Sequence, residues 1–484
     1  MKSIALSVIV CTVLFLHDVS HATVWYIHPD STLNSIQDGM DLCATGDTVL
    51  VGAGTYIENI NFNGMAITVI SEYGADTTII DGSSPAHPDS GSVILFASGE
   101  DTTSVLQGFT ITNGSGTNFT GVGTIGGGIL CFGASSPTIT GNTITVNEAF
   151  WGGGGIASLY SSPVIDSNTI SDNASDTMGG GILVYDNSEA LVANNIIMSN
   201  TSVYGGGIWI TGIYSNPMIM NNYIVDNAAF GFGGYGSGGG GGTAWSAAPT
   251  FQGNSIVNNS ANYSGSGLYC TASSTPLFID NTITGNTSTY GAIRCNDNAA
   301  PIFESCNISG NNASGASIFQ CTLTFDSCTI SNNQYYGVQC SGNVEAVISW
   351  CNIYGHSGYG VHNGYVSDTI DAKNNWWGDA TGPYHPTANP GGLGDPVSDY
   401  VDFDPWLADS VQWVGIQEEP LANPIEKAEI LGATIFRGPL QLPEGRKCKV
   451  FDITGRVVEP NRIQAGIYFI EIDGVVTQKV VKVR

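Results

Sequence analysis

Few residues in this sequence are equipped for chemistry, and those few fall at matching places in a repeat. Arg294 is one of two basic residues between positions 23 and 426, the other being Lys373. Glu304 and Asp326 hold the same place in successive repeats. Such a carboxylate pair could act as acid and nucleophile on a glycosidic bond, or hold a calcium ion. Arg294, Glu304 and Asp326 are therefore the catalytic candidates. Trp209, Tyr269, Arg294 and Phe319 share a second place, with Leu183 before them and Trp245 between. If that column faces solvent, its rings at steps of about 5 Å could stack on sugar rings, so these four are the ligand-binding candidates. A flanking loop could instead roof the column and turn it into an outer core. No CxxC or Cys/His metal spacing is present, and His28, His87, His356, His362 and His385 show no partner spacing and read as surface residues.

The repeat itself explains how these residues would be placed. The segments SSPTITGNTITVN, SSPVIDSNTISDN, SNPMIMNNYIVDN and STPLFIDNTITGN share the pattern Pro-x-apolar-x-x-Asn-x-Ile-x-x-Asn. One Asn column runs through positions 142, 168, 195, 222, 254 and 281, and a second through 147, 173, 200, 227, 259, 286, 311 and 333. Each unit of about 22 to 27 residues holds three strand-like pieces. The first follows glycines and carries Ile129, Ile156, Ile182, Ile208, Leu268, Ile293, Ile318, Val338 and Val361. The second follows Ser-Pro and carries Ile139, Ile165, Val192, Ile219, Phe251, Phe278, Phe303, Phe325 and Ile348. The third carries Ile144 through Ile353. No unit can bury its own few apolar side chains, so the coils must stack into a three-sided solenoid with one continuous core. Gly and Asn suit the left-handed corners, and an inward Asn can satisfy backbone groups up the stack. Cys306, Cys328 and Cys351 replace the corner Asn late in the chain, and Cys270, Cys295 and Cys340 share another column. Stacked thiols point in parallel and read as core fillers rather than disulfides.

Composition narrows the partners. The 484 residues carry a net charge of −28, with 11% charged and 42% hydrophobic residues and 64 glycines, which fits a turn-rich β protein. Between positions 23 and 426 two basic residues face 34 acidic ones, a net −32, whereas 427–484 has ten basic and six acidic residues, a net +4. A surface that acidic repels nucleic acid, anionic lipid and polyuronates, and leaves neutral glycans and divalent cations open. Met1-Lys2, an apolar stretch over 4–16 and Ser20-His21-Ala22 read as a secretory signal peptide over 1–22, and no later segment is apolar enough to span a membrane. Val8-Ile9-Val10 before Cys11 lacks the small residue that lipidation needs. A coil step between Asn222 and Asn254 is five residues longer than its neighbours, and Phe230, Phe232, Tyr235 and the glycines at 238–242 read as a neutral loop that the stack tolerates, with a mobile flap beside Trp209 as the alternative.

Two resemblances extend this reading. The opening over 24–74, with a short amphipathic piece at 35–42 and Thr55-Tyr56-Ile57-Glu58-Asn59-Ile60, resembles the start of pectate-lyase-like β-helix proteins, where a helix closes the first coil. Asn374-Asn375-Trp376-Trp377-Gly378 resembles a final-coil motif of such proteins, and its two tryptophans would plug the core. The resemblance implies a right-handed parallel β-helix over 23–407. After a linker at 408–426, Lys449-Val450-Phe451-Asp452-Ile453-Thr454-Gly455-Arg456, Gly466-Ile467-Tyr468-Phe469 and the block at 479–484 resemble the C-terminal sorting domain (type A) of proteins exported by the type IX secretion system. That implies a small β-sandwich at 427–484, contact with the secretion machinery, and release or attachment at the cell surface.

The fold class expected is thus all-β, a right-handed three-sided parallel β-helix followed by a small C-terminal β-sandwich. Lyases of this fold combine a basic residue with a calcium-holding acid cluster, and its pectin hydrolases carry an Asp-Asp pair with a histidine between glycines. Neither set is present here. The function expected is a secreted or surface-attached protein, non-catalytic, that binds glycan or serves as an adhesive or structural element. A polysaccharide lyase or glycoside hydrolase is the alternative.

Overall fold

The computed structural model describes residues 22–411 except 88, 232–237, 264 and 366–367, and beyond them chiefly the strands between 434 and 482. The expected signal peptide and most of the linker, with Phe232 and Tyr235, lie outside the described residues. The chain divides into two compact units, 1–412 and 413–484.

The first unit is the parallel solenoid, of about 13 turns. A proline face of 15 strands runs from Val24–Ile27 to Val401–Asp402, and an asparagine face of 12 strands from Gly54–Ile57 to Asn352–Tyr354. The glycine face is built from strands such as Ile156–Leu159 and Ile182–Tyr185, joined by a short ladder of two-residue strands. Strand alternation sets the inward columns as expected. Ile139 pairs Ile165, which pairs Val192, and the column continues through Phe251, Phe278, Phe303 and Phe325. Those phenyl rings stack at 5.0, 4.5 and 4.9 Å between centroids, and each is fully buried. Burying a side chain of this size contributes about 2–3 kcal/mol, so nearly all the driving force lies in contacts between coils.

The glycine-face column departs from expectation at one place. Ala316, not Ile318, pairs Ile293 and Val338, and Ile318 sits between Cys295 and Cys340. The cause is a shorter connection. From the corner Asn to the glycine-face strand the chain uses nine residues at Asn147 to Ile156, seven at Asn286 to Ile293, and five at Asn311 to Ala316. Equal spacing of coils therefore misplaces the column by two residues.

The Asn columns form directed ladders. Asn173 Nδ2 donates to Asn200 Oδ1 at 3.0 Å, Asn200 to Asn227, Asn227 to Asn259, and so on through Asn286 and Asn311 to Asn333. Each amide also donates to a carbonyl of the preceding coil, as Asn200 does to Ile170. The last rung ends on His356 Nε2, 3.3 Å from Asn333 Nδ2, and His356 Nδ1 lies 2.6 Å from Asp395 Oδ2. In the other column Cys306 takes over from Asn281, whose Nδ2 lies 3.9 Å from the sulfur. All ten described cysteines are free, and burial raises the thiols of Cys295, Cys328 and Cys340 well above the ordinary range, as fillers of a dry core require.

Both ends are closed. The helix Ile36–Asp41, capped by Ser35, buries Ile36 and Met40 against the first coil, and Trp377 is fully buried at the other end. In the second unit the described strands form a single five-stranded sheet that includes Cys448–Asp452, Gly466–Ile472 and Val475–Lys482. The second sheet of a sandwich is not among them.

Candidate functional site

Alternation along the glycine face puts Leu183, Trp209 and Tyr269 in one outward column, Leu183 paired with Trp209 and Trp209 related to Tyr269 through Gly242 of the coil between. They do not reach solvent as a bare strip. Leu183 is fully buried, and Trp209 and Tyr269 are 3% exposed. The long connections before each strand fold over this surface, and Ile125, Met178 and Tyr204 roof it, with the antiparallel pair Gly116–Phe119 and Gly123–Ile125 at one end. The column is an outer core, because outward alternation says which side of a sheet a residue is on and not what else covers that side.

The glycines at 238–242 belong to the stack rather than to a flap. Gly241–Ala244 is a strand between Ile208–Thr211 and Leu268–Cys270. A Cβ on Gly242 would come 2.4 Å from the Trp209 indole, so the missing side chain makes room for that ring. Through the gap Trp209 stacks on Tyr269, two coils away, at 6.2 Å between centroids, and Tyr204 lies 5.5 Å from the indole.

Where the roof ends, a pocket of about 310 Å³ opens, walled by Tyr204, Trp209, Thr211, Trp245, Tyr269 and Asp297 among others. Trp245 is 54% exposed and forms its rim. Trp209 Nε1 and Thr211 Oγ1 are buried yet have no hydrogen-bond partner among the described residues. Burial pushes the Tyr269 phenol above its usual value, outweighing its hydrogen bonds with Thr271 and Asn296, so the hydroxyl stays a donor. Asp297 accepts from Thr271 Oγ1 at 3.1 Å and Asn296 Nδ2 at 3.3 Å. The pocket thus offers flat apolar walls, and the unpartnered indole N–H and threonine hydroxyl lie behind that surface, shut off from solvent. A more polar cleft of about 450 Å³ adjoins it, shares Asp297 and is lined also by Glu345.

The remaining candidates scatter. Arg294 lies on the glycine face, donates from Nη1 to Ser317 Oγ at 2.8 Å, and sits 5.7 Å from the Phe319 ring centre. Ser317 holds the coil position expected of Phe319, which lies two residues further on the same side. Glu304 and Asp326 are paired in register, as the repeat implies, but on the proline face, so Arg294 and the two acids do not share a groove. Among the described residues no three His, Cys, Asp or Glu side chains converge as metal ligands, and no helix is long and apolar enough to cross a membrane.

Three histidines are not surface residues. The His356 side chain is fully buried against Asp395, His385 is 7% exposed beside Asp399, and His362 packs between Tyr336 and Tyr359, where burial lowers its pKa. The acids come from the segment after the last repeat, so no spacing inside the repeat could reveal them. Thr211 and Tyr204 also escape a sequence reading. The one available signal for Tyr204 is its place directly before a Gly-Gly-Gly run, the place where Met178 precedes Gly179.

No curated protein matches the chain in sequence. Among solved structures, the catalytic unit of thermostable GH87 alpha-1,3-glucanase from Streptomyces thermodiastaticus strain HF3-3 is similar at TM-score 0.47 and 15% identity, over 76% of this chain and 65% of that one. The chain therefore spans less than two thirds of that catalytic unit. The A-module of Azotobacter vinelandii mannuronan C-5 epimerase AlgE4 is similar at TM-score 0.42 and 11% identity, over 78% and 94% of the two chains. Both likenesses are distant and concern the fold alone. The model of the right handed beta helix region matches residues 47–224, 147–262 and 246–377, a run over more than half of the sequence, and the chain belongs to that family.

Proposed function

We propose that this is an exported, non-catalytic β-helix protein that binds a neutral glycan in the pocket bounded by Trp209, Trp245 and Tyr269. The observation that carries the reading is the aromatic wall of this pocket, with Trp245 exposed at its rim and Tyr204, Trp209 and Tyr269 behind it. A sugar ring can lie on the exposed face of Trp245 while its hydroxyls bond to the polar lining of the pocket, Thr177, Thr271 and Asp297. The surrounding net charge of −32 selects against uronates. Arg294 and Phe319 extend the same face beyond the pocket. The reading needs no cofactor, and calcium at Glu304 and Asp326 is a separate option that a calcium arm would test. Export follows from the signal-like segment at 1–22, and secretion through the outer membrane by the type IX machinery from the blocks in 427–484.

A glycan array with wild type, Trp245→Ala and Asp297→Ala, each with and without calcium, tests the proposal. Retention of a neutral glycan by wild type and its loss in both variants is expected, and equal retention by all three would refute it. One observation favours a hydrolase as second reading: two carboxylates, Asp297 and Glu345, line the adjoining polar cleft, the type of group that acid and base catalysis on a glycosidic bond requires. Release of reducing ends that disappears in Glu345→Gln would establish it instead.

A further inference from the structure

Between the glycine face and the proline face the chain turns a corner in every coil, and the residues there adopt left-handed backbone. Asp186, Asn187, Ser246, Asp297 and Asn298 do so with φ between 38° and 62°. Asn, Asp and Gly tolerate that region, whereas bulky side chains are rare in it and are strained there. Yet Tyr160, Tyr214 and Trp245 occupy the same corner at φ 51°, 61° and 50°. None is there for burial, since they are 43%, 69% and 54% exposed. They fall within four successive coils. Tyr160 N–H donates to Asp186 O of the next coil, which carries no ring at this corner, and the two coils after it carry Tyr214 and Trp245. Tyr214 lies two residues further round the corner than the Trp245 position, since Thr211 pairs Ala244.

We infer that the ligand is a neutral linear polysaccharide lying along this corner parallel to the solenoid axis, with Tyr160, Tyr214 and Trp245 as its platforms. The inference rests on the glycan reading above and adds to it a chain-like ligand, its direction and a second contact zone. From Tyr160 to Trp245 is three coil steps, about 14 Å at the spacing of stacked strands, the length of a few sugar rings in an extended chain. Trp245 belongs to both zones, as platform of the corner and rim of the pocket. No basic residue precedes Arg294 in the solenoid, and Asp186 and Asp297 flank the path, so hydroxyl donors suit it and carboxylates do not. Ring faces spaced along a line gain affinity with ligand length, because each added contact is made by a tethered unit.

Affinity electrophoresis in gels containing β-glucan, xyloglucan, galactomannan, α-glucan, polygalacturonate or alginate tests this, beside titration with the dimer and hexamer of whichever neutral polymer retards the protein. Wild type is expected to be retarded by a neutral polymer and by neither anionic one, and to bind hexamer at least tenfold tighter than dimer. Tyr160→Asn with Tyr214→Asn should lose that gain, leave dimer binding unchanged, and melt no lower than wild type, because Asn is at ease at these φ values. Trp245→Ala should weaken both. Retardation unchanged in the double variant but lost in Trp245→Ala would keep the pocket and overturn the corner. Retardation by no neutral polymer would overturn the glycan reading itself, and retardation by an anionic one would overturn the choice of polymer class.

Discussion

Asn227→Asp separates bonding direction from shape, because the two side chains are almost isosteric. Asn227 is fully buried and takes part in five hydrogen bonds of the ladder. Its backbone N–H donates to Asn259 Oδ1 at 2.9 Å, and its Nδ2 donates to Ile197 O at 2.9 Å and to Asn259 Oδ1 at 3.0 Å. Its Oδ1 accepts from Asn200 N and Asn200 Nδ2, both at 3.0 Å. Aspartate preserves the two accepted bonds and turns the two side-chain donors into an oxygen facing two oxygens. Two buried groups left unsatisfied cost about 1–3 kcal/mol each, and the unpaired charge adds to that, so a loss on the order of 5 kcal/mol is expected. For a body of this size that is roughly 5 °C in melting temperature. Burial and the facing oxygens raise the folded-state pKa of the new carboxyl above its unfolded value of about 4. Destabilisation is therefore full above the folded-state pKa and shrinks as pH falls through it, where the acquired proton restores one donor. Asn221→Asp is the control, at an exposed corner with φ 54° where Asp226 already sits at the same angle one corner on. Thermal melts at pH 8 and pH 4 decide the matter. Equal melting of the two variants at pH 8 would refute the claim that the ladder depends on which way its amides point.

Trp209→Ala should cost about 3–5 kcal/mol in a thermal melt, since the indole fills the space over Gly242, whereas Thr282→Asp on the outer asparagine face should be nearly silent. Glu100 is 2% exposed; burial works to raise its pKa, but hydrogen bonds from Ser135, Ser98 and Gly64 outweigh it and lower the value. Its stabilising contribution is present above the unfolded value and is lost as pH falls through the lowered one, so Glu100→Gln should narrow the acid-induced loss of stability measured by urea melts between pH 5 and pH 2. Removing 427–484 should leave the solenoid's circular dichroism and melt unchanged and strand the protein in the periplasm of a host with type IX secretion. Normal surface display of the shortened chain would remove the sorting role.

The stacking columns were legible because each is a chemical type at a fixed phase of the repeat. Phe251 to Phe325 and Ile144 to Ile353 fall in register as the spacing implies. Phase became unreadable where loop length changed, as at Ile318, since Ile-Phe offers an apolar residue near the right place and nothing local marks the two lost residues. The pocket was half legible. Trp209 and Tyr269 were identifiable as one column, but the place between them expected of Trp245 belongs to Gly242, and Trp245 lies three residues on at the corner, exposed where the strand residues are covered. Ladder direction and the His356–Asp395 terminus need coordinates, because an Asn column reads the same upward or downward.

Every rung of the Asn ladder offers the next coil the same donors and accepts from the last coil in the same way, so coils are interchangeable parts. Successive rungs are 26, 27, 32 and 22 residues apart at Asn147, Asn173, Asn227 and Asn311, and the bonds persist across all of these steps. The difference is absorbed outside the ladder, as in the connections that shrink from nine residues to five. A gene of this kind can therefore lengthen or shorten by duplicating or losing whole coils without disturbing either terminus, and the reach of its corner ridge can evolve one platform at a time.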